Sequence, residues 1–315
     1  MDETKAMKDL DKKAQNVQKI IPNLWCDGNV KEVVDYYTAI FPSSNVLSTS
    51  YYPMTAEEGL ADFQKDLAGK ELTIEFELAG HHFTAINAGP EFKPTPAISF
   101  MVNFDPSKDD QAREHLDQVW ERLIDGGEAL MPVDEYPFSK RYGWVKDKYG
   151  FSWQLILTNP EGEERPCIIP SLLFGAGVQN RASEAIEYYT SVFKDAKCGT
   201  AVPYGQPTGP ATAESLMFAD FQLMGQWFAA MDSGVTQDTT FNEAISLAVM
   251  CKDQEEIDYL WSKLSAVPEA EQCGWCKDKF GVSWQITPEN VEELLKKPGA
   301  FANMMQMHKL VIADF

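Results

Sequence analysis

The sequence predicts an α+β fold of two similar domains, each made of two βαβββ units. Three observations predict it. First, the chain contains one string twice, YGWVKDKYGFSWQLI at 142–156 and CGWCKDKFGVSWQIT at 273–287. Gly143 matches Gly274, Trp144 matches Trp275 and Gln154 matches Gln285, all at one spacing of 131 residues, so the chain is a tandem duplication. Second, Leu72, Ile74, Phe76 and Leu78 alternate with Glu71, Thr73, Glu75 and Glu77. That is the period of a strand with one face on a core. Third, helical spacing falls between strands in both copies. Val30, Val33, Val34, Tyr37, Ile40 and Phe41 reappear 152 residues later as Ala182, Ala185, Ile186, Tyr189, Val192 and Phe193.

Each element follows in order. Residues 1–18 mix charges with few apolar positions and read as a surface or disordered segment. From Lys19 a strand runs to the Asp27-Gly28 turn, and the first helix stops at Pro42. A strand is expected at 46–52, a Pro- and Gly-bearing loop at 53–69, and a hairpin of 71–78 with 82–87 around Ala79-Gly80. The programme restarts with a strand at 97–104. Ala112, Leu116, Val119, Trp120 and Leu123 mark its helix, which Gly126-Gly127 closes, and strands near 129–133, 143–146 and 151–157 follow. The polar NPEGEERP at 159–166 is the linker between a first domain at 19–158 and a second at 167–315. The second copy repeats the first with shorter loops. Gly225 to Gly234 match Gly80 to Gly89 at a spacing of 145, and AIS at 244–246 matches AIS at 97–99 at 147. The largest loss falls between the second helix and the repeated string. A C-terminal helix and a Met-rich tail, expected to dock on a sheet or a neighbouring subunit, end the chain.

Composition narrows the function classes. The chain has 315 residues, 44% of them hydrophobic, enough for two cores. A formal net charge of -21 argues against nucleic-acid and anionic-membrane partners, which demand clustered Lys and Arg. The charged N-terminus has no apolar secretory region, and no apolar run approaches the length of a bilayer span. A soluble cytoplasmic protein is the expectation. The six cysteines follow no disulfide framework and read as reduced thiols.

Further strings carry a resemblance: Leu24-Trp25 with Asp27-Gly28, Tyr36-Tyr37 with Ile40-Phe41-Pro42, FTAINAGP at 83–90, AISF at 97–100 and MMQMHKLVIA at 304–313. With the duplicated GW-KDK-G-SWQ, they resemble the PhnB-like branch of the vicinal-oxygen-chelate superfamily, which includes glyoxalase I, bleomycin-resistance proteins and extradiol dioxygenases. The resemblance covers essentially everything after residue 18. It implies curved half-barrel sheets, each with a cavity. It also implies a pair of domains, built here within one molecule as an internal pseudo-dimer, or a homodimer. Some members of the branch carry the label of a demethylubiquinone methyltransferase, but no strand here is followed by a glycine-rich nucleotide loop.

In that superfamily, His, Glu or Gln on the first, fourth, fifth and eighth strands of a domain hold a divalent metal. By motif, those positions fall here on Pro22 and Pro170, on Phe83 or Thr84 with Phe228 or Ala229, on Ala97 and Ala244, and on Gln154 and Gln285. Proline and alanine supply no donor, and a lone amide oxygen is a weak ligand. The expectation is therefore a protein without cofactor or metal that binds a small, partly apolar ligand. The residues expected to line its cavities are Asn87, Ser99, Trp144, Gln154, Asp232, Ser246, Trp275 and Gln285. Trp153 and Trp284, one residue out of phase with the glutamines, are expected in the core. Asn87 and Asp232 each precede a loop, and turn capping is their competing role. Glu75 and Glu77 read as a solvated strand face, and the four histidines as exposed or capping residues. Cys273 is a candidate nucleophile without a visible histidine partner; the spacing of Cys273 and Cys276 on a strand opposes a redox or zinc pair. Two alternatives stand beside this reading. One is a lyase, isomerase or dioxygenase with a divergent Zn, Ni, Mn or Fe site, and the other is a non-catalytic scaffold. Whether a cavity lies within one domain or between units is open at this stage, as is the ligand.

Overall fold

The computed structural model describes residues 18–315, and the N-terminal segment read from the sequence lies almost wholly outside that range. Four units follow one another. The first holds β1 (Ile20–Cys26), α1 (Val30–Ile40), β2 (Asn45–Tyr51), β3 (Glu71–Leu78) and β4 (His81–Asn87). The second holds β5 (Ile98–Phe104), α2 (Ala112–Ile124), β6 (Glu128–Tyr136), β7 (Ser139–Lys146) and β8 (Ser152–Leu157). The third holds β9 (Ile168–Phe174), α3 (Ala182–Val192), β10 (Lys197–Pro203), β11 (Leu216–Leu223) and β12 (Gln226–Asp232). The fourth holds β13 (Ile245–Cys251), α4 (Gln254–Leu264), β14 (Trp275–Lys277) and β15 (Ser283–Pro288). Two short helices, α5 (Val291–Leu295) and α6 (Ala300–Met304), replace the single C-terminal helix expected from the sequence. Pro298 and Gly299, with φ +80° at the glycine, break it.

The two sheets cross the boundary between the copies. Sheet A runs β14-β15-β13-β1-β4-β3-β2 and sheet B runs β10-β11-β12-β9-β5-β8-β7-β6. Each sheet thus joins one unit from each half of the sequence. Two antiparallel seams make the join. In sheet A, Asn23 of β1 faces Ser246 of β13, and in sheet B, Ser171 of β9 faces Ser99 of β5. The copies are related at these seams residue for residue.

The helices lie between the sheets, within each copy. Tyr37 of α1 reaches from the sheet A side to Trp153 of β8 in sheet B, with ring centroids 5.1 Å apart. Tyr189 of α3 meets Trp284 of β15 in the same way at 5.5 Å. Trp153 and Trp284 are fully buried, as their strand phase predicts. Truncating either to alanine would cost about 3–5 kcal/mol through lost transfer and cavity terms.

The repeated KDK turn explains itself here. Asp147 is buried and accepts four hydrogen bonds, from Tyr149 N (2.9 Å), Phe151 N (3.1 Å), Tyr37 Oη (2.5 Å) and Trp153 Nε1 (2.9 Å). Asp278 repeats the knot with Phe280 N, Val282 N, Tyr189 Oη and Trp284 Nε1 at 2.7–3.1 Å. Each carboxylate ties the helix of one unit to the last hairpin of the next. Gly150 and Gly281 both sit at φ +89° and permit the turn. Gly143 has a different reason, because a Cβ there would stand 2.5 Å from the Trp120 ring.

The sheets differ at one edge. The residues lost from the second copy are a strand as well as a loop, since sheet A has no partner equivalent to β6. The C-terminal tail takes that edge. Cys273 N donates to Met307 O (2.8 Å) and Gly274 N to His308 O (2.7 Å). Leu294, Ala300, Leu310 and Phe315 form a small core of their own under the tail. Residues 134–142 of the first copy, unassigned from the sequence, are the rest of the β6-β7 hairpin. Their mixed charges and Pro137 hide a half-exposed strand pair.

Candidate functional site

One face of each sheet packs on the long helices α1–α4, which do not cover the opposite face. Strand alternation decides which side chains point there. On sheet B, a row of small and polar side chains crosses five strands in register: Asp220, Ala229, Ser171, Ser99 and Ser152. The matching row on sheet A is Glu75, Thr84, Asn23, Ser246 and Ser283. Gln154 and Gln285 lie one position along, beside the serines of β5 and β13.

Sheet B has filled this face with its own side chains. Gln154 donates to Ser99 Oγ at 2.8 Å, stands 3.5 Å from Ser171 Oγ, and accepts from Tyr142 Oη at 2.7 Å. Burial pushes the Tyr142 phenol up, so it stays protonated and donates. Trp144 donates through Nε1 to Ser152 Oγ at 2.8 Å. Tyr142, Trp144 and Leu173 pack together, and Met101, Ile169 and Ala229 form a second cluster. At the far end, Arg165 of the linker donates from Nε to Asp220 (3.0 Å), its guanidinium 3.7 Å above the Trp227 ring.

Sheet A keeps the polar row without, among the described residues, counterparts of the Tyr142 and Arg165 contacts. Gln285 donates to Ser246 Oγ at 2.8 Å, as Gln154 does to Ser99. The position of Tyr142 is taken by Cys273, which turns away in a left-handed conformation (φ +51°) toward Gln272 and Met305. Nothing among the described residues donates to Gln285 Oε1. Asn23 replaces Ser171; it is only 6% exposed and its Oδ1 has no hydrogen-bond partner. A buried carbonyl oxygen without a donor costs about 1–3 kcal/mol. Trp275 and Trp25 meet edge to face at one end, centroids 6.0 Å apart. At the other end His82 Nε2 stands 3.7 Å from Glu75 Oε2, and the Glu75 carboxyl is held below its usual range chiefly by that histidine.

The structure thus brings Ser246, Trp275 and Gln285 together on sheet A, and Ser99, Trp144 and Gln154 on sheet B. Asn87 and Asp232 do not join them, which corrects the expectation that they bind ligand. Both share strand phase with core residues and point to the helix side. Asp232 Oδ1 accepts from Ala182 N (3.0 Å) at the start of α3, and its Oδ2 accepts from Leu216 N (2.8 Å). Asn87 donates to Glu71 O at 2.9 Å. The first-strand position also shifts by one. Pro22 pairs with Leu247 and faces the helices, so the residues on the open face are Asn23 and Ser171. Cys273 has its thiol pushed up by burial, with no imidazole beside it, so it is a poor nucleophile. Cys276 sits in the core with its thiol raised further. Two histidines depart from the exposed reading. His81 packs on Phe83 and burial lowers it to about 3, so it is neutral, while His82 is half-buried beside Glu75.

The family model described as 3-demethylubiquinone-9 3-methyltransferase matches residues 18–156 and again residues 166–287. The chain belongs to this PhnB-like family, in duplicate. Among solved structures, the PhnB protein of Bacillus cereus is 36% identical over 45% of this chain and 100% of its own, with a TM-score of 0.38. A Staphylococcus aureus protein is 27% identical over 46% and 99%, with a TM-score of 0.18. A glyoxalase I mutant from Zea mays spans both copies, 87% of this chain and 93% of its own, at 12% identity and a TM-score of 0.49. No curated protein matches the chain. Among the described residues, no helix is long and apolar enough to cross a membrane.

Within the family frame, sequence reasoning missed Asn23 and Trp25 on sheet A, and Tyr142, Ser171 and Arg165 on sheet B; Thr84 was one of its two fourth-strand candidates. A signal existed for two of them. Asn23 and Ser171 occupy the same place after Pro22 and Pro170, so a difference between copies was visible there. Arg165 lies in a polar linker and gave none.

Proposed function

We propose that the face of sheet A opposite α1–α4 is a metal-free binding site for a small, partly apolar molecule. The carrying observation is the buried Asn23 Oδ1 with no hydrogen-bond partner, on the same face as the partly exposed Gln285, whose oxygen accepts from no described residue. At the equivalent place on sheet B every such group is satisfied internally. A ligand that donates hydrogen bonds to both amides would remove the penalty, and Trp25 and Trp275 would cover its apolar part.

The superfamily implies a divalent metal, and the residues do not fit one. The row offers hydroxyl and neutral amide oxygens around Asn23. Glu75 stands two strands away, roughly 10 Å at the usual strand spacing. Among the described residues, no three His, Cys, Asp or Glu side chains come together in a group that could hold an ion. Transition metals and magnesium favour imidazole, thiolate or carboxylate.

Native mass spectrometry of the chain, purified without chelator, tests the reading. The expected result is one small molecule per chain, lost in Asn23→Ala and Gln285→Ala and retained in Gln154→Ala. Stoichiometric Zn, Ni, Mn or Fe retained by the wild type and lost in Gln285→Ala would overturn it.

A further inference from the structure

We infer that the ligand of sheet A is an organic cation carrying a guanidinium or amine, an inference that rests on the reading of that face as a binding site. The argument comes from what the chain does with the equivalent face of sheet B. There the acid at the end of the polar row, Asp220, is 7% exposed, and it is met by a guanidinium. Arg165 Nε stands 3.0 Å from Asp220 Oδ2, and the guanidinium lies 3.7 Å from the centroid of the Trp227 ring. Carboxylate and aromatic face together are what a delocalised cation recognises. The chain supplies that cation itself, from the linker.

Among the described residues, sheet A keeps the acid and supplies no guanidinium beside it. In register, Glu75 matches Asp220, and His82 matches Trp227. The sequence position equivalent to Arg165 is Val17. Among the described residues, the only ionisable neighbour within ion-pair distance of Glu75 is His82, at 3.7 Å. Glu77 shares its face. The two lysines whose strand phase puts them on that face, Lys19 and Lys277, are held by Glu289 (2.6 Å) and Glu243 (2.7 Å). The acceptors this face offers a ligand are therefore Asn23 Oδ1, the partly exposed Gln285 Oε1 and the Glu75 carboxylate, beside which His82 Nε2 is also buried without a hydrogen-bond partner. A ligand complementary to them carries positive charge at one end. About 10 Å further on, two strand spacings away at Asn23, it carries N–H or O–H donors. Trp25 and Trp275 close the far end. An anionic ligand would face two glutamates.

Agmatine, which joins a guanidinium to an amine through four carbons, is the probe. N-butylurea is its neutral counterpart and pentanoate its anionic one. Calorimetric titration would be read with the indole N–H shifts of Trp25 and Trp275. Agmatine is expected to bind and to shift both indoles. Its affinity should fall at least tenfold in Glu75→Gln and in Asn23→Ala, and should hold in Tyr142→Phe, which alters sheet B alone. N-butylurea should bind at least tenfold more weakly than agmatine. If N-butylurea or pentanoate binds as well as agmatine, or if Glu75→Gln leaves agmatine binding unchanged while Asn23→Ala abolishes it, the charge inference falls and the site stands. If none of the three shifts either indole, the site reading falls with it.

Discussion

Tyr142 donates its hydroxyl to the Gln154 side-chain oxygen at 2.7 Å, and among the described residues no donor stands in that place over Gln285. The two glutamines occupy the same position in two copies of one motif, yet one is sealed and the other is open. Tyr142→Phe would leave Gln154 Oε1 buried with no donor. Equilibrium urea unfolding should show a loss of about 1–3 kcal/mol. A loss below about 0.5 kcal/mol would mean that water reaches Gln154, and the contrast between the sheets would fail.

Tyr37 and Tyr189 each bind a buried carboxylate, Asp147 and Asp278. Removing either hydroxyl takes one of four hydrogen bonds from a buried acid, worth about 1.5–3 kcal/mol for a charged acceptor. Tyr37→Phe and Tyr189→Phe should therefore destabilise the chain by similar amounts. The double variant should show the sum, because the two knots lie in different copies with no shared partner. Marked non-additivity in denaturant unfolding would show that the two knots do not act separately.

Glu184 gives a pH dependence with a definite sign. Arg181 first, then Lys279, holds its carboxyl down to about 2. A depressed carboxylate contributes stability above the unfolded value, about 4.3, and loses it as pH falls through the folded one. Wild type should melt above Glu184→Gln at pH 6. The gap should close as the pH approaches 2. A gap that stays constant across that window would show that the ion pairs do not act on folding.

The seams predict that the chain can be divided. Fragments 1–160 and 161–315 each keep their own pair of helices and their own Asp–Tyr knot. They meet through β1 with β13 and β5 with β9. Co-expressed, they should purify as a one-to-one complex of the mass of the intact chain. Fragments that elute separately on size exclusion would show that the linker, and not the paired strands, holds the copies together.

The fold was legible because duplication doubles each signal. A helix seen at Val30 to Phe41 is seen again at Ala182 to Phe193, and the out-of-phase tryptophans fall where period-two alternation puts them. The first strand was misphased for a physical reason. Ile20, Ile21, Pro22, Leu24 and Trp25 are apolar on both faces, so alternation has no phase to read there. The partners across the seams were beyond local pattern altogether, since pairing Val102 with Ile168, or Ile20 with Val249, leaves no period in the sequence. Asn87 and Asp232 looked like site residues because they were matched between copies. Matching marks whatever both copies need, and here that is the support of strand and helix ends.

Paired strands in a symmetric homodimer would present two identical faces, and any side chain that closed one would close the other. Joining the copies in one chain removes that constraint. Tyr142 and Trp144 can fill one face permanently while their counterparts, Cys273 and Trp275, leave Gln285 on the other without a donor among the described residues. The closed face then serves as a rigid buttress, and a substitution that reshapes the open one carries no matching penalty on its twin.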